Sequence, residues 1–261
     1  MWILGSWLEL PVWQLLLALA GFYAIAGVAM HLLAYHGPVS EWARSFRGVV
    51  APFFVSVILL FGLLLGFVAG DVWRRNAEVV HAVRSEGEAL FAIAHLSPDT
   101  EPGGARIQNL IRAYAQSLVT EEWPQMQNGK HAAGSEAAFV SLLSALVDAP
   151  VSGNAGSAVQ KARLDIVMKL HALRETRLAL AGDRTDEIKW ATLLLLGLIS
   201  QIAIAGVHLE MPRPQIAGLT IFSTAAVIGL GLVAIQERPF SPPIAVAPAP
   251  LEDVLHEIPA R

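Results

Sequence analysis

Residues 48–75 read GVVAPFFVSVILLFGLLLGFVAGDVWRR, and the fold turns on how this stretch is taken. From Gly48 to Gly70 it holds no Asp, Glu, Lys or Arg. A helix needs about 20 mostly apolar residues to cross the hydrocarbon core of a bilayer, whereas a soluble helix keeps a polar face. The stretch therefore reads as a membrane span, started or kinked by Pro52 and closed by Asp71, Trp73, Arg74 and Arg75. Leu10–Ser40, Trp190–Leu209 and Pro214–Gln236 are free of charge over comparable lengths. Four transmembrane helices are expected, near Val12–Tyr35, Val49–Ala69, Lys189–Val207 and Ile216–Ile235. Trp13, Tyr35, Trp42, Trp73 and Trp190 fall near their ends, where aromatic rings favour the headgroup layer. Met1–Pro11 carries Glu9 and no basic residue, unlike the start of a signal peptide, so the first span is expected to stay in the mature protein.

Composition agrees. The 261 residues are 54% hydrophobic and 15% charged, against roughly 25% charged in an average soluble domain. A net charge of −4 leaves no basic footprint for nucleic acid. With no cysteine, disulfides, thiolate metal sites and cysteine nucleophiles are excluded.

Most of the charge lies between the two pairs of spans. This divides the chain into a membrane hairpin (1–70), a water-facing helical domain (71–188), a second hairpin (189–236) and a Pro-rich tail (237–261). Arg74, Arg75, Arg84, Arg174, Arg177, Arg184 and Lys189 flank the middle segment, against Arg44, Arg47 and Arg213 in the hairpin loops. The excess puts the middle domain and both termini in the cytoplasm. Within that domain Asp71–Leu96 continues the second span. A helix then runs from Glu101 toward Thr120, ended by Glu122-Trp123-Pro124, and another covers Ser135–Val147. After a turn at Pro150-Val151-Ser152-Gly153-Asn154 comes a helix over Gly156–Leu180, with Val159, Ala162, Ile166, Leu170, Leu173 and Leu178 toward one side. The tail, with six of the 15 prolines, reads as extended or disordered, or as lying along a neighbouring surface.

Catalytic and metal signatures are absent. Glu78-Val79-Val80-His81 would put two ligands on one helical face, but a di-metal bundle needs a second copy and two further carboxylates. Its neighbours Glu86 and Glu88 read as exposed, and a solvated face is expected. His31, His36, His208 and Glu210 gather at span ends without a metal-ligand spacing, and His171 with Glu175 is an ordinary helix pair. There is no nucleotide loop, serine-hydrolase elbow or zincin motif. No enzyme, cofactor or metal is expected. Gln201, the deepest polar group in a span, reads as an interhelical hydrogen bond.

On the second span, Gly62, Gly66 and Gly70 form one small face, suited to close helix packing. Beside it run Leu59, Leu63 and Phe67 at i, i+4, i+8, continuing onto Asp71 and Arg74. In an oligomer such a stripe could form a hydrophobic constriction. Leu65-Gly66-Phe67 followed by Trp73-Arg74 resembles the Leu-Gly-Phe…Arg-Trp segment of bestrophin channels, with Trp and Arg in reversed order. Tyr114, Glu122-Trp123-Pro124, Arg174, Arg177 and Arg238-Pro239-Phe240 extend a resemblance to the bestrophin-like family over nearly the whole length. The resemblance implies a passive ion channel, pentameric and anion-conducting in bestrophins, with inorganic ions and the bilayer as its partners. It puts the neck at Leu59, Leu63 and Phe67, the mouth at Asp71, Arg74 and Arg75, and the protein in a bacterial inner membrane. Bestrophins usually have aromatic neck residues where this chain has Leu, and no acidic cluster here resembles their calcium clasp. The competing class is a non-conducting sensor or scaffold whose cytoplasmic helices bind a partner.

Overall fold

A computed structural model describes residues 10–36, 40–41, 52–126, 133–148 and 153–258. Their helices are α1 (Val12–Tyr35), α2 (Pro52–His95), α3 (Gly104–Ser117), a π-helical turn (Leu118–Glu122), α4 (Trp123–Met126), α5 (Ala133–Val147), α6 (Gly153–Gly182), α7 (Glu187–Val207), α8 (Pro212–Gln236) and α9 (Ala249–Glu257). No strand occurs among the described residues. Four apolar helical stretches, in α1, α2, α7 and α8, are long enough to cross a membrane. α1 has the expected bounds. α2 starts at Pro52, whose missing N–H is harmless in a first turn, and runs unbroken to His95. Glu9, Trp42, Arg44, Arg47, Val49, Pro150, Val151 and Ser152 lie outside the described residues.

The chain forms two compact units. The first comprises Met1–Trp73 and Arg184–Glu237. Its core joins Leu15, Leu19 and Tyr23 of α1 to Phe61, Val68 and Val72 of α2, Trp190 and Leu193 of α7, and Leu230 of α8. Trp190, in the first turn of α7, is 1% exposed and packs in this core. Tyr23 packs so closely over Gly197 that a Cβ there would sit 2.1 Å from the phenol oxygen. Gln201 donates through Nε2 to the Tyr23 carbonyl (2.9 Å) and to Ser223 Oγ (2.8 Å), the interhelical bond expected of it. The Tyr35 hydroxyl donates to the His208 carbonyl (2.6 Å), and His31 Nδ1 meets Gln215 Oε1 (2.9 Å).

The second unit comprises Arg74–Asp183 and Arg238–Arg261. Two expectations are corrected here, and the alternatives left for the tail are decided. Glu122-Trp123-Pro124 does not end a helix: the π turn carries the backbone past Pro124, with the Trp123 N–H bonded to the Leu118 carbonyl. On α6 the buried positions are Arg163, Val167, Leu170, Arg174, Arg177, Leu178 and Ala181. Leu170 and Leu178 of the expected face lie in the core, with Ile166 packed against it, and the stripe runs on through three arginines that apolar spacing does not mark.

The tail is ordered. Phe240 packs edge-on against Trp123 with ring centroids 5.3 Å apart, and Trp123 Nε1 donates to the Val246 carbonyl (3.1 Å). α9 buries Leu251 and Val254 completely. Arg112 holds its end by donating to the carbonyls of Leu255 (2.5 Å) and Ile258 (2.6 Å). The prolines shape a path over apolar surface. A Cβ on Gly87 of α2 would stand 2.8 Å from the Pro250 carbonyl oxygen. Gly87→Val should therefore dislodge α9, and limited proteolysis should then cut the tail after the fourth span in the variant long before it does in the wild type.

Candidate functional site

Two features stand out, one on each unit. In the second unit, Glu86 of α2, Glu122 of the π turn, and Arg174 and Arg177 of α6 meet with 0%, 0%, 2% and 0% exposure. Arg177 grips Glu86 in a fork, Nε to Oε2 at 2.7 Å and Nη2 to Oε1 at 3.2 Å. Its Nη2 also reaches Glu122 Oε1 (2.7 Å), and Nη1 reaches Met126 Sδ (2.9 Å). Arg174 donates to Glu122 Oε2 (2.8 Å) and to Glu136 at the surface. The Ser135 hydroxyl donates to Glu122, and the Tyr114 hydroxyl to Glu86 Oε1 (3.1 Å). Arg177 also lies 5.5 Å over the Trp123 ring.

Burial alone would push the Glu122 carboxyl up. The Arg177 charge and the hydrogen bonds from Arg174, Ser135 and Arg177 outweigh it and hold the group below its ordinary value. Burial opposes the charge on Arg174 and Arg177 too, but their carboxylate partners keep both protonated. Burial and the Glu86 charge push the Tyr114 hydroxyl well up, so it remains a donor. The cluster is charge-balanced and densely hydrogen-bonded, with Arg174 Nε alone among its guanidinium nitrogens and carboxylate oxygens left buried without a partner, an arrangement that fixes geometry rather than one that moves protons. Glu86, read from sequence as exposed, is the clearest miss. Its place among Val79, Val83, Leu90 and Ile93 at three and four spacing was the available signal.

The second feature is the uncovered face of α2 in the first unit. Leu59, Leu63 and Phe67 are 65%, 55% and 63% exposed, and nothing approaches a Cβ placed on Gly62, Gly66 or Gly70. Among the described residues the glycine row thus makes no helix contact. Phe61, Val68, Ala69 and Val72 face the core instead. Asp71 accepts from Lys189 Nζ at 3.1 Å, with both side chains about half exposed. Farther along the same helix, Arg74 pairs with Glu78 at 3.2 Å in the open. Arg75 is largely covered and turns to Asp183 at 3.7 Å. Of the three residues expected at a mouth, Asp71 is half exposed and Arg74 exposed, while Arg75 is largely covered. Glu78 and His81 are both exposed, and among the described residues no three His, Asp or Glu side chains are grouped to hold a metal.

A polytopic helical membrane protein with a charge-locked water-facing unit is the class that this fold and these sites define. The chain matches the Bestrophin-like domain over residues 21–251 and belongs to that family. Crystal structures of a bacterial bestrophin homologue from Klebsiella pneumoniae share its fold. One single-substitution variant aligns with a TM-score of 0.67 at 12% identity over 93% of this chain and 96% of the other. A form phased on zinc gives 0.61 at 13% identity over 93% and 95%. No curated protein matches the chain. It is an integral membrane protein. Of the residues that carried the family resemblance, Tyr114, Glu122, Trp123, Arg174, Arg177 and Phe240 come together in and around the buried cluster, whereas Leu65, Gly66 and Phe67 belong to α2 in the first unit.

Arg177→Met should destabilise the protein by about 3–5 kcal/mol, because it strands two buried carboxylates; thermal unfolding followed by tryptophan fluorescence measures this. A carboxyl held below its unfolded value stabilises above that value, and the stabilisation is lost as pH falls through the folded value. With Glu122 starting from 4.5, its contribution should be level from neutral pH down to that value and fall beneath it. Glu122→Gln should lower stability at neutral pH and flatten the acid slope.

Proposed function

We propose that the chain is one subunit of a homo-oligomeric passive ion channel, a pentamer, in which the exposed face of α2 from each copy surrounds the conducting path. The supporting observation is the row Leu59, Leu63, Phe67, uncovered in the single chain and flanked by glycines that touch nothing. Large apolar side chains alone would suit a lipid-facing helix. Three glycines in register beside them suit helices that converge on one another, since small residues let backbones approach closely. A ring of Leu and Phe side chains then forms a constriction that gates by dewetting.

Asp71 and Arg74 would stand at the mouth, each already paired, Asp71 with Lys189 and Arg74 with Glu78. Such a mouth offers little net attraction to ions of either sign. Anion conduction therefore comes to this proposal from the bestrophin resemblance alone, as do the pentamer and the bacterial inner membrane. The cytoplasmic side of the second unit follows from the basic residues flanking it.

Under a KCl gradient in planar bilayers, the purified oligomer should carry a current that reverses toward the chloride potential. Reversal toward potassium would keep the channel and reject anion selectivity. Silence from intact oligomers at both voltage signs would favour the sensor or scaffold. Phe67→Ala should widen the neck and raise the leak or alter rectification; an unchanged current through a folded, oligomeric variant would reject the neck.

A further inference from the structure

One charge beside the exposed face of α2 comes from a different span. Asp71 follows Phe67 by one turn, about 6 Å along the helix axis, and its Oδ2 accepts from Lys189 Nζ of α7 at 3.1 Å. Arg74 and Glu78 pair four residues apart on α2 itself, so their charges travel together. Lys189 stands 118 positions away from Asp71 in sequence, and only the packing of α7 against α2 brings the two together. That packing is firm. Val72, next to Asp71, and Trp190, next to Lys189, are each 1% exposed and belong to the same core. With both neighbours buried, the rotation of each helix is set, and the charged pair is left half exposed at the edge of the core.

Lys189 also runs against the preference of its own helix. The first turn of a helix carries the positive end of the macrodipole and favours acidic side chains. The start of α7 follows that rule at Asp186, whose carboxylate accepts from the Ile188 N–H at 2.9 Å, and at Glu187. Lys189, two residues on, breaks it. A cation in this turn is disfavoured by the dipole, and the carboxylate of Asp71 on the neighbouring span offsets that cost.

We propose that Lys189 is a specificity-determining residue of the conducting path, which it tunes by neutralising Asp71. The role rests on the reading of α2 as the lining of that path. In a ring of subunits, Asp71 without Lys189 repeats one negative charge per copy a turn beyond Phe67. A passage lined by one sign of charge concentrates counter-ions, here cations. With Lys189 in place the pair is neutral, and anions meet no such barrier.

Reversal potentials of the purified oligomer under a KCl gradient give the chloride-to-potassium permeability ratio that tests this role. Lys189→Gln should lower the ratio about tenfold, and Lys189→Arg should keep the wild-type value. Asp71→Asn should raise it, by leaving the lysine charge uncancelled. The double variant Asp71→Asn with Lys189→Gln should return it to the wild-type value. Because salt screens exposed charges, the shift in Lys189→Gln should shrink as KCl rises from about 0.1 M to about 1 M. An unchanged ratio in both single variants, read through conducting oligomers, would overturn the role of Lys189 and leave the channel standing. A double variant that stays at the Lys189→Gln value would show that the lysine does not act through Asp71, and would overturn it as well. Silence of intact wild-type oligomers would reject the channel and this role together. A half-exposed ion pair contributes little to folding, so the variants should assemble; if Lys189→Gln does not, Asp71→Asn, which leaves α7 untouched, decides by itself.

Discussion

Arg177, fully buried between Glu86 and Glu122, is the constraint on which the second unit depends. A lone carboxylate or guanidinium in that core would be strongly destabilising, because desolvation costs several kcal/mol per ion. Two of each sign, with Tyr114 and Ser135 supplying further bonds, compensate one another. The partners come from α2, α3, the π turn, α5 and α6, so one cluster fixes the rotation of five separate segments. A one-residue slip of any of these helices would swing its charged side chain about 100° away and leave a partner unpaired in the core. Apolar packing alone tolerates such slips far better.

The same dependence explains the shape of the chain around Glu122. A regular helix through residues 118–122 would alter the direction in which Glu122 points, and Pro124 would lack room for its ring. The π turn resolves both, and Trp123 then closes the cluster on the side of Phe240. Arg163 does related work at the end of α2, where it donates to the Leu96 carbonyl and pairs with Glu101 at 2.5 Å. That carbonyl would otherwise be an unsatisfied group at a helix end.

What was legible in the sequence followed hydrophobicity. The spans could be read because a bilayer demands long uncharged stretches, and α1 agrees with its expected bounds to the residue. The stripe on α2 was visible for the same reason, since spacing of four marks one side of a helix. The charge cluster was not, because a buried arginine looks like a surface arginine when only polarity is scored. Glu86 was assigned to water on that basis. The tail was left open between disorder, which prolines suggest, and lying along a neighbouring surface; Phe240, Leu251 and Val254, spaced to meet a surface already built, carried the signal for the second. The family resemblance drew on Tyr114, Glu122, Arg174 and Arg177 without revealing that they touch.

The docking of residues 238–258 imposes an order on biosynthesis. These residues emerge from the ribosome after the fourth span, yet they supply Phe240, Leu251 and Val254 to a core whose other members were translated much earlier. The water-facing unit therefore waits, with apolar surface open, until α7 and α8 have passed to the insertion machinery. Its core closes only after the last span has been made, and a chain stalled before Phe240 leaves that core unsealed.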